Sequence, residues 1–295
     1  NAVPKDYPER LGDGFELTEE GKIRTKYPMG VAILEAPFFA VAYLFSNQNA
    51  TGYEPRYHIS LWIAGIFYLL LGLFFLKEYL IKRYDLKVVL ITLLALFIGT
   101  NLYYYSLNSP GMSHVYSFFL FAVLMWLADK IELIEKPKHL LLFSFFIALT
   151  ILVRPTSAIF VLFLFFLHPG LFGSIWRMIK KPQWLVLSLV VFAIPVFPQL
   201  LYWHYLTGEW VMYSYEGEGF NWSSPKPLNF LFSSKNGLLS YSPIVVFAVI
   251  GLFIMWWSNK LKTIKFLTLA LLTTYVFSSW WCWWYGCSYG SRNLV

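Results

Sequence analysis

Seven apolar runs, separated by short basic loops, restrict this chain to one kind of architecture. The runs fall at 59–76, 88–106, 114–129, 139–168, 184–205, 238–257 and 264–280. About 20 apolar residues in a helix cross the roughly 30 Å hydrocarbon core of a bilayer. The run 139–168 divides at Arg154-Pro155 into two arms, each too short to cross upright. Such half-spans are tolerated where protein or a polar cavity covers their broken ends. Basic clusters stand at Lys77, Lys82, Arg83 and Lys87; at Lys130, Lys136 and Lys138; at Arg177, Lys180 and Lys181; and at Lys260, Lys262 and Lys265. With 139–168 counted as a down-and-back pair, two passes separate each cluster from the next. All four then share one face, the cytoplasmic one by the positive-inside rule. The break at Arg154, the loops 107–113 and 206–236, and the aromatic stretch 281–295 fall on the other side.

The fold class expected is therefore all-α: a polytopic transmembrane helix bundle over 59–280, within a single domain of 1–295. Only 13% of residues are charged, against about 25% in soluble domains. The net charge of +7 lies in the short loops and calls for no nucleic acid. Cys282 and Cys287 form no zinc-type cluster, and His58, His139, His168 and His204 lack ligand spacing, so no metal or other cofactor is expected. The chain begins at Asn1 without Met and ends just after the aromatic stretch, which reads as an internal piece of a longer protein. Residues 1–28 read as a solvated loop. Over 29–45 an apolar helix is interrupted by Glu35 and Pro37, and the following loop 46–57 carries only Arg56 as a cation. An interfacial helix, with 1–57 all on the non-cytoplasmic side, fits this charge pattern.

Several groups could carry chemistry. In SSWWCWWYGCSYGSR (278–292), Trp280, Trp281, Trp283, Trp284, Tyr285 and Tyr289 precede Arg292. This is either an aromatic belt with a snorkelling arginine or a site where a planar guanidinium meets a phosphate. Arg154, inside an apolar run, costs about 2.5–3.5 kcal/mol at membrane depth, so it faces a cavity or a partner, or snorkels at a helix end. The sequence offers no membrane-depth carboxylate near either arginine. His114 opens a span, where it either caps the helix or donates to a phosphate or sugar. The loop 207–227 mixes Glu209, Glu216 and Glu218 with Trp210, Tyr213, Tyr215, Phe220 and Trp222. Rings beside carboxylates suit a sugar, and they equally suit an anchoring loop. Asp13 and Glu16 are candidate bases in the first loop.

The stretches KYPMGVAILEAPFF, NSPGMSHVYSFF, LVRPTS and WWYGCSYGSR, in this order, resemble bacterial members of the GT-C superfamily. These are integral-membrane glycosyltransferases related to protein O-mannosyltransferases and aminoarabinose transferases. The resemblance implies a GT-C-like bundle with an interfacial helix and a short broken helix pair, in a bacterial inner membrane. It implies transfer of a sugar from a polyprenyl- or dolichyl-phosphate donor to a lipid, glycan or protein acceptor on the non-cytoplasmic side. Arg154 and Arg292 would then hold the donor phosphate, with Lys26 and His114 in the same cavity and Glu216, Glu218, Trp284 and Tyr289 as further binding residues. The acidic catalytic motif of that family would lie upstream of Asn1. A transporter or flippase of lipid-linked glycans is the competing class, but it would carry a repeated half with a second broken segment.

Overall fold

The computed structural model describes residues 14–18, 20–47, 50–134, 136–215, 217–286 and 288–292, with the backbone alone at 16, 133 and 134. The helices are α1 (Gly30–Leu44), α2 (Pro55–Leu80), α3 (Leu86–Gly99), α4 (Leu102–Leu107), α5 (Ser113–Ile134) and α6 (Pro137–Val153). After a 3-10 turn (Pro155–Ser157) come α7 (Ala158–Leu167), α8 (Leu171–Ile179), α9 (Pro182–Thr207), α10 (Pro227–Phe232), α11 (Leu238–Tyr241), α12 (Val245–Ser258) and α13 (Lys260–Ser278). Proline opens α2, α6, α9 and α10, where its missing N–H would lack an intrahelical partner anyway. Among the described residues four helices are long and apolar enough to cross a membrane: Pro55–Leu80, Ser113–Glu132, Pro182–Thr207 and Lys260–Ser278. The protein is a multi-pass membrane protein.

The axis of the bundle is α5. Val115, Tyr116, Leu120, Leu124, Leu127, Ala128 and Ile131 are buried along its length, packed by α2 on one side and α6 on the other. α6 runs against α5, with the His139 ring 6.5 Å from Trp126 at one end and Arg154 beside His114 at the other. The chain then returns along α5, Phe160 stacking on Phe121 at 4.1 Å and His168 meeting Glu132 at 3.1 Å. α6 and α7 together thus travel up and back along α5.

Ion pairs gather at the end where α7 finishes. Asp129 takes Lys82 at 2.5 Å and Arg83 at 2.6 Å, the Gly170 amide donates to Glu132, and Lys265 at the start of α13 donates to the Phe166 carbonyl. This is the basic end. The opposite, aromatic end holds Arg154, the loop between α9 and α10, and the residues after α13.

α1 stays near the aromatic end. Gly30 lies against the backbone of Leu152 and Val153, so closely that a β-carbon there would overlap it. Further along, the Leu34 carbonyl accepts from Tyr68, Glu35 accepts from Tyr116, and Phe39 packs on Tyr57.

Three features depart from the expectations. The run 88–106 is not one helix: Thr100 is extended (φ −118°, ψ 173°), and Gly99 packs on Ile244, so α3 stops and α4 restarts at a new angle. The run 238–257 is likewise divided by Pro243, which cannot donate to a continuing helix, leaving α12 at 14 residues. The first loop contains a hairpin, Phe15–Leu17 against Ile23–Thr25, in antiparallel register Phe15↔Thr25. It docks on α9, where the Tyr202 hydroxyl accepts from the Thr25 amide and donates to the Ile23 carbonyl.

Two outcomes follow from the placing of α1. Gly30→Val forces α1 away from α6, and overpacking of this kind costs about 1–3 kcal/mol, read as a lower melting temperature in detergent. Single cysteines at Thr25 and Thr51, on either side of α1, react with an impermeant reagent from the same face of sealed vesicles. Opposite sidedness would make α1 a span.

Candidate functional site

The residues after α13 can reach the bundle only through turns that most side chains resist. Tyr285 (φ 56°), Gly286 (φ 70°) and Gly290 (φ 69°) are left-handed, a conformation that favours glycine. A single side chain holds this path. Asn236, itself left-handed at φ 63°, shares its two Nδ2 hydrogens among the Trp284 carbonyl (2.8 Å), the Gly286 carbonyl (3.0 Å) and Ser288 Oγ (3.0 Å). Ser291 Oγ donates in turn to the Asn236 carbonyl at 2.7 Å.

α4 supplies the seat. The Tyr105 hydroxyl accepts from the Tyr289 amide (3.0 Å) and donates to the Tyr289 carbonyl (3.2 Å), and Asn101 Nδ2 donates to the same carbonyl. The Tyr289 ring stacks on Tyr104 at 4.8 Å. At Gly290 a β-carbon would stand 2.9 Å from Tyr241 Cβ. Arg292 is thereby delivered to the first turn of α5.

Three of the expected site residues meet there. Arg154 Nη1 lies 3.3 Å from His114 Nδ1. A guanidinium has no acceptor, so Nδ1 accepts, and the imidazole is neutral with its proton on Nε2, an assignment made from the hydrogen-bond network. His114 is buried and stacks 4.1 Å from Tyr105, and it also bonds to the Arg292 backbone. Arg154 and Arg292 are close enough to repel, and Tyr105, Tyr215 and Tyr285 surround Arg154 with phenols. Arg292 Nε is buried and meets no acceptor among the described residues. An unmet buried N–H of a charged group costs more than the roughly 1–3 kcal/mol of a neutral one.

A second pair lies nearby. Lys26 Nζ binds Glu218 Oε1 at 2.9 Å, and Ser214 Oγ donates to the Lys26 carbonyl. Burial works against the Lys26 charge, and the Glu218 carboxylate outweighs it, holding the ammonium above the usual lysine value. Tyr215 bridges the two groups: burial raises its phenol, while the Arg154 and Lys26 charges pull it back.

The loop carrying these residues is fixed to the end of α13. Asn221 N donates to the Ser279 carbonyl (2.6 Å), Trp281 N to the Gly219 carbonyl (3.0 Å) and Lys226 N to the Ser278 carbonyl (3.1 Å). Phe220 packs on Trp222 and Trp280 at 4.5 and 4.7 Å.

Trp284 is not in the arginine cluster; it packs with Phe230, Phe277 and Trp283. Tyr289 meets the cluster through its backbone and the ring of Tyr105. Asp13, Glu216 and the Glu16 side chain lie outside the described residues. Among the described residues no group of three or more His, Cys, Asp or Glu gathers into a metal site.

One residue the sequence reading passed over is Glu35. It registered as an interruption of an apolar run, yet the rule applied to Arg154, that an ionisable group within such a run is functional by default, applies equally to it. It stands five residues after Gly30, which packs on Val153, and it bonds to Tyr116. No family model, curated protein or solved structure matches the chain.

Asn236→Gly tests the clamp, because glycine keeps the left-handed backbone and loses only the amide. The expected result is a loss of about 1–3 kcal/mol of stability with a shift in tryptophan emission as Trp283 and Trp284 loosen.

Proposed function

We propose that the aromatic end binds a lipid phosphate and that the protein is a membrane glycosyltransferase of GT-C type. It takes a sugar from a polyprenyl- or dolichyl-phosphate donor and passes it to an acceptor on the non-cytoplasmic side of a bacterial inner membrane. The observation that carries this reading is the buried, unmet Nε of Arg292 beside the Arg154 guanidinium. Two like charges held together at a membrane boundary are stable when an anion lies between them. A phosphodiester supplies one, and guanidinium forks fix its oxygens in place. Neutral His114 adds no further positive charge, and the Tyr215 phenol beside Arg154 supplies a donor for a sugar's oxygens.

The remaining architecture supports the same reading. The cations at 77–87, 130–138, 177–181 and 260–265 belong to the end opposite the arginines, the end the positive-inside rule assigns to the cytoplasm. α1 keeps its partners at the aromatic end, as an interfacial helix does. The α6–α7 pair meets at Arg154 and leaves its broken ends against His114 and the aromatic loops, where a polar cavity can serve them. Tyr213 is exposed, donates its hydroxyl to the Glu218 carbonyl, and offers a flat face to a glycan or protein acceptor.

The test is binding of polyprenyl monophosphate, the leaving group of the reaction, to the purified protein in detergent. Arg292→Gln keeps a hydrogen-bonding side chain and removes the charge. Its Kd should rise by one to two decades, matching about 1.5–3 kcal/mol for a charge-assisted bond. Arg292→Lys should recover part of this, since an ammonium lacks the fork. If Arg292→Gln folds normally and binds as tightly as the wild type, Arg292 is a belt residue and the site assignment fails.

A further inference from the structure

We propose that Glu35 is the proton acceptor of this site: it takes the proton from the acceptor's hydroxyl or amine as that group attacks the sugar. The inference rests on the transferase reading and adds to it a base carried by this chain itself.

Glu35 is placed by three contacts. Tyr116 donates to its Oε1 at 2.8 Å. A β-carbon on Gly111 would lie 3.8 Å from the same oxygen. Five residues back along α1, Gly30 sits on the Leu152–Val153 backbone next to Arg154. A rise of 1.5 Å per residue puts Glu35 about 7.5 Å along α1 from that point. Its Tyr116 partner and the Arg154 partner His114 both lie in the first turn of α5. Carboxylate and guanidinium therefore stand at the same end, on either side of one helix start, and do not neutralise each other in an ion pair.

The groups facing Glu35 are few. Tyr116 comes from α5 and Tyr68 from α2. α6 meets α1 through the backbone at Gly30, and Arg154, the charged group that follows, is turned to His114. Among the described residues Tyr116 is the one hydrogen-bond donor on the carboxylate. Burial therefore dominates, pushing the carboxyl up to about 7, while the Tyr116 hydroxyl pulls it back. Glu35 is not fully buried, and α1 starts at the aromatic end, where Gly30 meets α6 next to Arg154. A base whose pKa lies near the working pH is the efficient one.

The step balances without another reactant. The nucleophile's lone pair forms the new bond to the anomeric carbon, and the bond from that carbon to the phosphate oxygen breaks. Its electron pair stays on the lipid phosphate against Arg154 and Arg292, and the nucleophile's proton ends on Glu35.

Dicyclohexylcarbodiimide tests the assignment, because it adds covalently to a carboxyl only when the proton is present. In the detergent-purified protein, the Glu35 adduct, read by peptide mass spectrometry, should form increasingly as pH falls through about 7. An ordinary glutamate needs pH nearer 4.3. Tyr116→Phe removes the bond that favours the anion and should move the midpoint upward. Polyprenyl monophosphate should slow the labelling severalfold. In a panel of polyprenyl-phosphate hexoses and pentoses, with water as the nucleophile, hydrolytic release of polyprenyl phosphate should rise with pH through the same midpoint. Glu35→Gln should cut that release by about 10²–10⁴-fold while binding polyprenyl monophosphate as the wild type does.

A midpoint near 4.3 overturns the proposal, and so does full release by Glu35→Gln. If the phosphate binds but leaves the labelling rate unchanged, Glu35 does not share the site and the transferase reading survives alone. If polyprenyl monophosphate does not bind the wild type, the transferase reading falls and takes this assignment with it.

Discussion

A guanidinium cannot be carried into a bilayer without a polar surround, and the aromatic end of this protein is that surround for Arg154. The chain reaches Arg154 at the close of α6 and turns back through Pro155, which has no amide hydrogen to leave unpaired. His114 offers its lone pair from the first turn of α5. Tyr105 comes from α4, Tyr215 from the loop after α9 and Tyr285 from the residues after α13. Segments far apart in sequence converge on one charged group. Because they converge, the second guanidinium, Arg292, is fixed beside the first.

Fixing Arg292 next to a like charge is unfavourable, and the protein sustains it with hydrogen bonds that have nothing to do with charge. Asn236 holds three acceptors of the terminal turn, and Tyr105 makes two bonds to the Tyr289 backbone. Each such bond contributes about 0.5–1.5 kcal/mol net, so together they can offset a repulsion of a few kcal/mol between partly solvated cations. On the proposed reading this is preorganisation: the repulsion is met in folding, and a lipid phosphate would bind without further rearrangement. The opposite end is arranged in the other way. There Lys82 and Arg83 share Asp129, and Glu132 is occupied by His168 and the Gly170 amide.

What was legible in the sequence is what depends on composition along a single run. The long helices α2, α5, α9 and α13 follow from uninterrupted apolar residues, and Arg154 stands out because charge is rare in such surroundings. Lys82, Arg83 and Lys265, from separate basic loops, do meet the bundle at one end. The breaks in 88–106 and 238–257 were less visible. Thr100 carries no strong helix-breaking signal, and the interruption there depends on Gly99 meeting Ile244 from a distant helix. Asn236 was invisible for the same reason: it sits in a polar loop, and only tertiary contact gives it three carbonyl and hydroxyl partners to hold. Local pattern reports which segments are apolar, whereas clamps and seats belong to the packing between them.

Glu35 shows a different reason for misreading. Its residue type and surroundings were in plain view, but α1 is short and contains Pro37, so the carboxylate looked like part of an irregular, half-polar segment. In the folded protein Pro37 does not end the helix, which continues to Leu44, because α1 is held from outside by Gly30 on α6, Tyr68 on α2 and Tyr116 on α5. Those contacts convert a carboxylate on a marginal helix into a half-buried one that accepts from Tyr116. Arg154 and Glu35 are thus products of one circumstance. Each is an ionisable group brought to the rim of the hydrocarbon by a helix that stops or lies at the boundary, and each meets an uncharged partner from the start of α5. Separating the charges across His114 and Tyr116 keeps them from quenching each other. On the proposed reading the arginines hold the leaving phosphate while the carboxylate takes the proton of the incoming nucleophile, on the two sides of one anomeric carbon.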